Sequence, residues 1–152
     1  MTTDFSVCMT FLVRGNNNFI LEVEREKLIY PDLRRRVYQC WRKWGAGPPL
    51  IEDKGSGTSL IQDLCGDDFP GFPKAIAIKP EGDKVSRMHA QSAKIEAGHV
   101  HVPKRADWLD DFFIEITQFP RGRHDDQVDA LSQFLNWISR RRNWTIIRDL
   151  GI

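Results

Sequence analysis

The segment FPRGRHDDQVDALSQFLNWI gathers Asp125, Asp126 and Asp129 at the start of a stretch whose apolar residues Val128, Leu131, Leu135 and Ile138 recur at helical spacing. On a helix, Asp125 and Asp129 are four residues apart and Asp126 and Asp129 three, so they can share a face. Like charges at this spacing repel by about 0.2–0.5 kcal/mol per pair unless a cation offsets them. Hard oxygen ligands gathered without a Lys or Arg partner are what Mg²⁺ or Mn²⁺ requires. The same acids also suit a plain helix start, where free N–H groups and the dipole favour negative charge and Asp129 faces water. Spacing alone leans toward that plainer reading. A second acidic pair, Glu52 and Asp53, directly follows the short apolar run Leu50–Ile51 and precedes Lys54. In open α/β sheets, sites gather at the carboxyl ends of strands and at neighbouring helix starts.

Other constellations are weaker. His99 and His101 alternate on a short strand pattern and share a face, although solvent-exposed strand histidines explain them more simply. KGSG lacks the GxxxxGK[ST] pattern, and GxSxG is absent, so neither a phosphate loop nor a serine nucleophile elbow is indicated. Cys8, Cys40 and Cys65 form no CxxC pair, which excludes a zinc site or disulfide framework and fits small buried hydrophobes in a reducing cytoplasm.

These residues need a scaffold. The 152-residue chain, 41% hydrophobic and 28% charged, has the composition and length of one soluble globular domain, residues 1–152. Its net charge of +1 implies no global attraction to a polyanion. The basic residues are clustered, at Arg34–Arg36, Arg42 and Lys43, at Arg121 and Arg123, and at Arg140–Arg142. Such runs serve as nucleic-acid footprints or as solvated helix faces. No secretory leader and no membrane-spanning run is present, which predicts an intracellular location without a membrane partner.

The apolar patterning predicts a hairpin, Phe5–Val13 and Phe19–Leu28, joined by the turn residues RGNNN. A helix with Pro31 at its first position carries Leu33, Val37, Cys40, Trp41 and Trp44 and stops at Gly45. Then come a strand at Leu50–Ile51, a helix from about Thr58 to Leu64 and a buried strand within Ala75–Pro80. Asp83 can cap a helix that runs to Ala97, with Gly98 as its C′ residue. A strand in His99–Pro103, a helix over Ala106–Ile116 and a last helix over Asp125–Arg142 complete the series. The order β-β-α-β-α-β-α-β-α-α is an α/β domain that opens on an antiparallel hairpin. The five tryptophans, Trp144 included, are expected to serve the core.

Four segments together, DFSVCMTFLV, IEDKGSGTSLIQDL, DKVSR with the following AGHVHVP, and FIEITQFPRGRHDDQVDAL, resemble the C-terminal nuclease domain of phage terminase large subunits. That resemblance implies an RNase H-like mixed sheet flanked by helices. It implies endonucleolytic cleavage of concatemeric double-stranded DNA by two Mg²⁺ or Mn²⁺ ions, one activating water and one stabilising the leaving 3′ oxygen. Partners in the family are the portal and procapsid and the small terminase subunit, in the host cytoplasm. Carried onto this chain, Glu52 is the second-strand ligand, with Asp53 one register away. Asp125 or Asp126 is the helix ligand, and Asp129 a ligand or its neighbour. Lys54, Arg87, Arg121, Arg123 and His124 are placed toward DNA or a metal ligand. The family's first acid lies in a motif resembling S-W-D-T-A on a strand before the SVC-type strand. Here the chain starts MTTDFSVC, and Asp4 matches the acid before the second strand, not the catalytic one. The expectation is an N-terminally truncated domain, without its first strand and ATPase motor, either as in a prophage remnant or as a piece cut from a longer chain. The alternative function is a catalytically degenerate fragment that only binds DNA or the portal.

Overall fold

A computed structural model describes residues 4–142, except the side chain of Arg142. The hairpin forms from β1 (Ser6–Arg14) and β2 (Asn17–Glu26), antiparallel from Ser6↔Glu26 to Arg14↔Asn17, with a bulge between Thr10 and Phe11. Gly15, at φ 57°, supplies the left-handed residue of the turn. Helix α1 (Tyr30–Trp44) has Pro31 in its first turn and ends at Gly45, again left-handed. It is followed by β3 (Leu50–Glu52), α2 (Ser56–Asp63), β4 (Ile76–Ile78), α3 (Lys84–Glu96), β5 (Val100–His101), α4 (Leu109–Gln118) and α5 (Asp126–Arg142). The element order is the one the patterning predicts. Asp83 caps α3 through Ser86 N at 2.9 Å and Ser86 Oγ at 2.8 Å, and Gly98 follows at φ 78°. Two helix starts move. Ala106–Trp108 make a turn before α4, and α2 begins at Ser56 because Gly57 lets the chain pack directly on the Glu52 carbonyl.

The strands do not form one sheet. Among the described residues β2 pairs with β1 on one side and, in parallel, with β5 on the other, while β3 pairs in parallel with β4 alone. Each sheet has its own core. Ile20 and Val23 of β2 pack with Phe112, Leu131 and Leu135 of α4 and α5. Leu60, Leu64 and Phe69 pack against α1 and Ile51 of β3. Leu135 is fully buried, and Phe11 of β1 stacks on Phe134 of α5 with ring centroids 3.7 Å apart.

Several expectations from composition are corrected. Only Cys40 of the three cysteines is buried; Cys8 is half-buried and Cys65 exposed. Trp44 is 39% exposed and donates to Glu22 at 2.6 Å instead of entering the core, and Trp144 lies outside the described residues. The basic face of α1 is spent on intramolecular pairs: Arg34 with Asp63, Arg35 with Asp32, Arg36 with Glu24 and Glu26, and Lys43 with Glu22. His101 stacks on Phe19 and shares a 2.9 Å hydrogen bond with Asn17.

Candidate active site

The first turn of α5 is held by a residue that periodicity does not single out. Buried Glu115 on α4 accepts the backbone N–H of Val128 at 2.8 Å and Gln127 Nε2 at 3.2 Å. It therefore does what an N-cap side chain does, satisfying an orphan N–H at the helix start. Asp125, the expected cap, turns instead to Lys84 Nζ at 2.8 Å. The plainer reading of the acidic cluster, that its acids cap the helix, is not what the chain does.

Nor do the acids gather without cations, as their spacing suggests. Lys84 and Arg87, one turn apart on α3, both face α5. Arg87 Nη2 donates to Asp129 Oδ1 at 2.7 Å, and Lys84 Nζ lies 3.9 Å from Asp129 Oδ2. This offsets the i, i+4 repulsion and leaves the Arg87–Asp129 pair about one-eighth exposed on either side. Burial alone would lower the Lys84 ammonium pKa, but the hydrogen bond to Asp125 and the charges of Asp129, Asp125 and Asp126 hold it above its ordinary value. Lys84 lies within the DKVSR segment, and a basic residue at a helix start beside an acidic segment is its only sequence signal.

Asp126 stands apart. Its side chain makes no hydrogen bond or ion pair with any described residue, and burial raises its pKa, assisted by the charges of Asp125 and Glu115 and opposed by that of Lys84. It shares a face of α5 with Asp129 and Gln133, and Gln133 Nε2 donates to Glu52 Oε2 across the molecule at 3.1 Å. Glu52, Asp126, Asp129 and Gln133 line one cleft of about 500 Å³. The two acidic groups that the sequence separates by more than seventy residues are thus brought together. Asp53 faces elsewhere, accepting from Thr58 Oγ1 at 2.8 Å at the start of α2. Exposed Lys54 borders the cleft, and Arg121 and Arg123 are exposed in the loop before α5. His124 packs edge-on against Phe5, 5.1 Å between centroids, while Arg87 donates to the Gly82 carbonyl at 2.7 Å besides Asp129.

Among the described residues no group of three or more His, Cys, Asp or Glu stands ready to hold a metal ion. Glu52 and Asp126 offer oxygen donors of the kind Mg²⁺ takes and make no ion pair with a described residue, although the Lys84 charge reaches Asp126, whereas Asp125 and Asp129 are paired with α3.

A hairpin, parallel β-α-β crossover and acids placed at one strand end and at the start of the last long helix define an RNase H-like α/β domain. The chain belongs to the terminase RNaseH-like domain family, whose model matches residues 4–137, and is thus a terminase nuclease-type module. A comparison with curated proteins finds no match. No described helix is long and apolar enough to cross a membrane.

Proposed function

We propose that residues 1–152 form one nuclease domain of a DNA-packaging terminase, acting on concatemeric double-stranded DNA with the help of divalent ions. The observation that supports this most is that Glu52 and Asp126 line one cleft, with Glu52 held there by Gln133 and neither acid in an ion pair with a described residue. Glu52 and Asp126 would hold Mg²⁺ or Mn²⁺, whose Lewis acidity favours attack of water on a phosphodiester. Lys84 and Arg87 hold Asp125 and Asp129, fixing the first turn of α5 against α3. Lys54, Arg121 and Arg123 lie exposed where a phosphate backbone can meet them. In the family's setting the partners are the portal, the procapsid and the small subunit, in the host cytoplasm.

The engagement of Asp125 and Asp129 with Lys84 and Arg87 favours a second reading, a catalytically degenerate module that binds DNA or the portal without cutting. Nicking of supercoiled plasmid in Mn²⁺ separates the two. Nicking that disappears in Glu52→Gln and in Asp126→Asn is expected. Salt-dependent DNA binding without any nicking would leave the non-catalytic reading.

A further inference from the structure

Helix α1 lies across the face of the hairpin on which Glu22, Glu24 and Glu26 alternate along β2. Arg36 takes Glu24 and Glu26, and Lys43 takes Glu22. Between these cations Cys40 donates its thiol to Glu24 Oε2 at 3.1 Å. Cys8 of β1 stands directly opposite Glu24 in the antiparallel register, which puts its side chain on that same face. The strand thiol and the helix thiol therefore meet beside one carboxylate, within hydrogen-bond reach of each other. Cys40 is buried and Cys8 half-buried. A cavity of about 30 Å³, walled by Ser6, Leu33 and Val37, opens onto Cys8.

We propose that Cys8 and Cys40 form an oxidisable dithiol, which hydrogen peroxide closes to a disulfide between β1 and α1. The two sulfurs have unequal roles. Hydrogen bonding by Cys40 holds the Cys8 thiol below its ordinary pKa, against burial and the charges of Glu24 and Glu22. Contact with Cys8, burial and the Glu24 carboxylate push the Cys40 thiol up, so it keeps its proton. Cys8 is thus the attacking sulfur and Cys40 the resolving one. The Cys8 thiolate, its proton released to water, attacks one peroxide oxygen and breaks the O–O bond. The hydroxide that leaves takes up a proton and becomes water, and Cys8 carries a sulfenic acid. Cys40 then passes its proton to Glu24 and attacks the Cys8 sulfur, breaking the S–O bond. The second hydroxide recovers that proton as water, so two thiols lose two electrons and one peroxide becomes two waters. A cavity of this size suits a small peroxide and not a bulky organic disulfide. A metal ion is a poorer occupant, because Arg36 Nη1 already lies 3.4 Å from the Glu24 oxygen that Cys40 meets.

The test treats the full chain with hydrogen peroxide, without added metal, in a Cys65→Ser background that removes the exposed third thiol. Loss of both remaining thiols is expected, with a mass lower by two hydrogens, a monomeric chain, and a peptide map that links Cys8 to Cys40. Thiol loss is expected to be at least tenfold faster than in the chain that also carries Cys8→Ser, and unfolding in urea should abolish that advantage. With Cys40→Ser, oxidation is expected to stop at the Cys8 sulfenic acid, which dimedone captures. Circular dichroism before oxidation checks that each variant is folded. The same peptide map on the parent chain, where a Cys8–Cys40 link free of Cys65 is expected, needs no variant at all. Survival of both thiols in the folded chain would overturn the proposal. So would dimers linked through Cys8, sulfinic acid at Cys8 beside a reduced Cys40, or equal rates with and without Cys8. None of these outcomes depends on whether Glu52 and Asp126 hold a metal.

Discussion

Gln133 Nε2 donates a 3.1 Å hydrogen bond to Glu52 Oε2, linking the end of β3 to a residue one turn beyond Asp129 on α5. This contact aligns the strand-end acid with the helix-start acids without using a charge to do so. A cation in its place would neutralise Glu52 and compete with any divalent ion. The amide orients the carboxylate and leaves its second oxygen available.

Removing the amide should therefore loosen the site but not the fold. Gln133→Leu is expected to lower Mn²⁺ affinity by about 10-fold, as is usual for residues that orient a ligand. The melting temperature should stay close to that of the parent. Calorimetric titration beside a thermal melt checks both.

Glu115 carries the opposite balance, mostly structural. Glu115→Ala leaves the Val128 N–H and the Gln127 amide unsatisfied in the interior and removes the partner of Arg25, 4.0 Å away. A loss of roughly 3–5 kcal/mol is expected from urea unfolding, since each buried unpaired donor costs about 1–3 kcal/mol. Glu115→Gln, which keeps an acceptor oxygen, should lose less than half of that.

Arg87 competes with a divalent ion for Asp129. Arg87→Met is expected to raise Mn²⁺ affinity about 3–10-fold by releasing that carboxylate, while costing about 3 kcal/mol of stability because a largely buried pair is broken. Opposite signs in one variant would distinguish this arrangement from a purely structural ion pair.

Tyr30 offers a pH signature remote from the acids. Burial and its 2.6 Å hydrogen bond to the Asp63 carboxylate raise its pKa to about 12 from the ordinary 10. A raised folded-state pKa means stability fully present below the unfolded value of 10 and lost as pH rises through about 12. The difference in stability between the parent and Tyr30→Phe should be constant below pH 10 and shrink across that window, followed by denaturant melts at each pH.

Gly57 tests the junction that places Glu52. A Cβ there would run into the Glu52 carbonyl oxygen. Gly57→Ala should cost about 1–3 kcal/mol, as overpacking does, and weaken Mn²⁺ binding as well, read from the same titrations.

The order of elements was legible because its signals are local. Pro31, Gly45, Asp83 and Gly98 mark helix ends by their own backbone and side-chain preferences, and each stands where the chain turns. The two acidic groups were legible as a strand end and a helix start. What escaped the sequence depends on partners distant along the chain. Glu115 reads as one acid on an amphipathic helix, and only the packing of α4 on α5 reveals it as the cap. Lys84 and Arg87 read as ordinary helix cations until α3 is laid beside α5. The division into two sheets is likewise invisible to patterning, because alternation reports burial and not which strand lies alongside.

Titration of the full chain with Mn²⁺ by calorimetry, in parallel with Glu52→Gln, Asp126→Asn and Asp53→Asn, tests the central claim most directly. The site described here predicts saturable Mn²⁺ binding in the parent, retained in Asp53→Asn and weakened at least tenfold in each of the other two. Binding unchanged in Glu52→Gln and Asp126→Asn would contradict it.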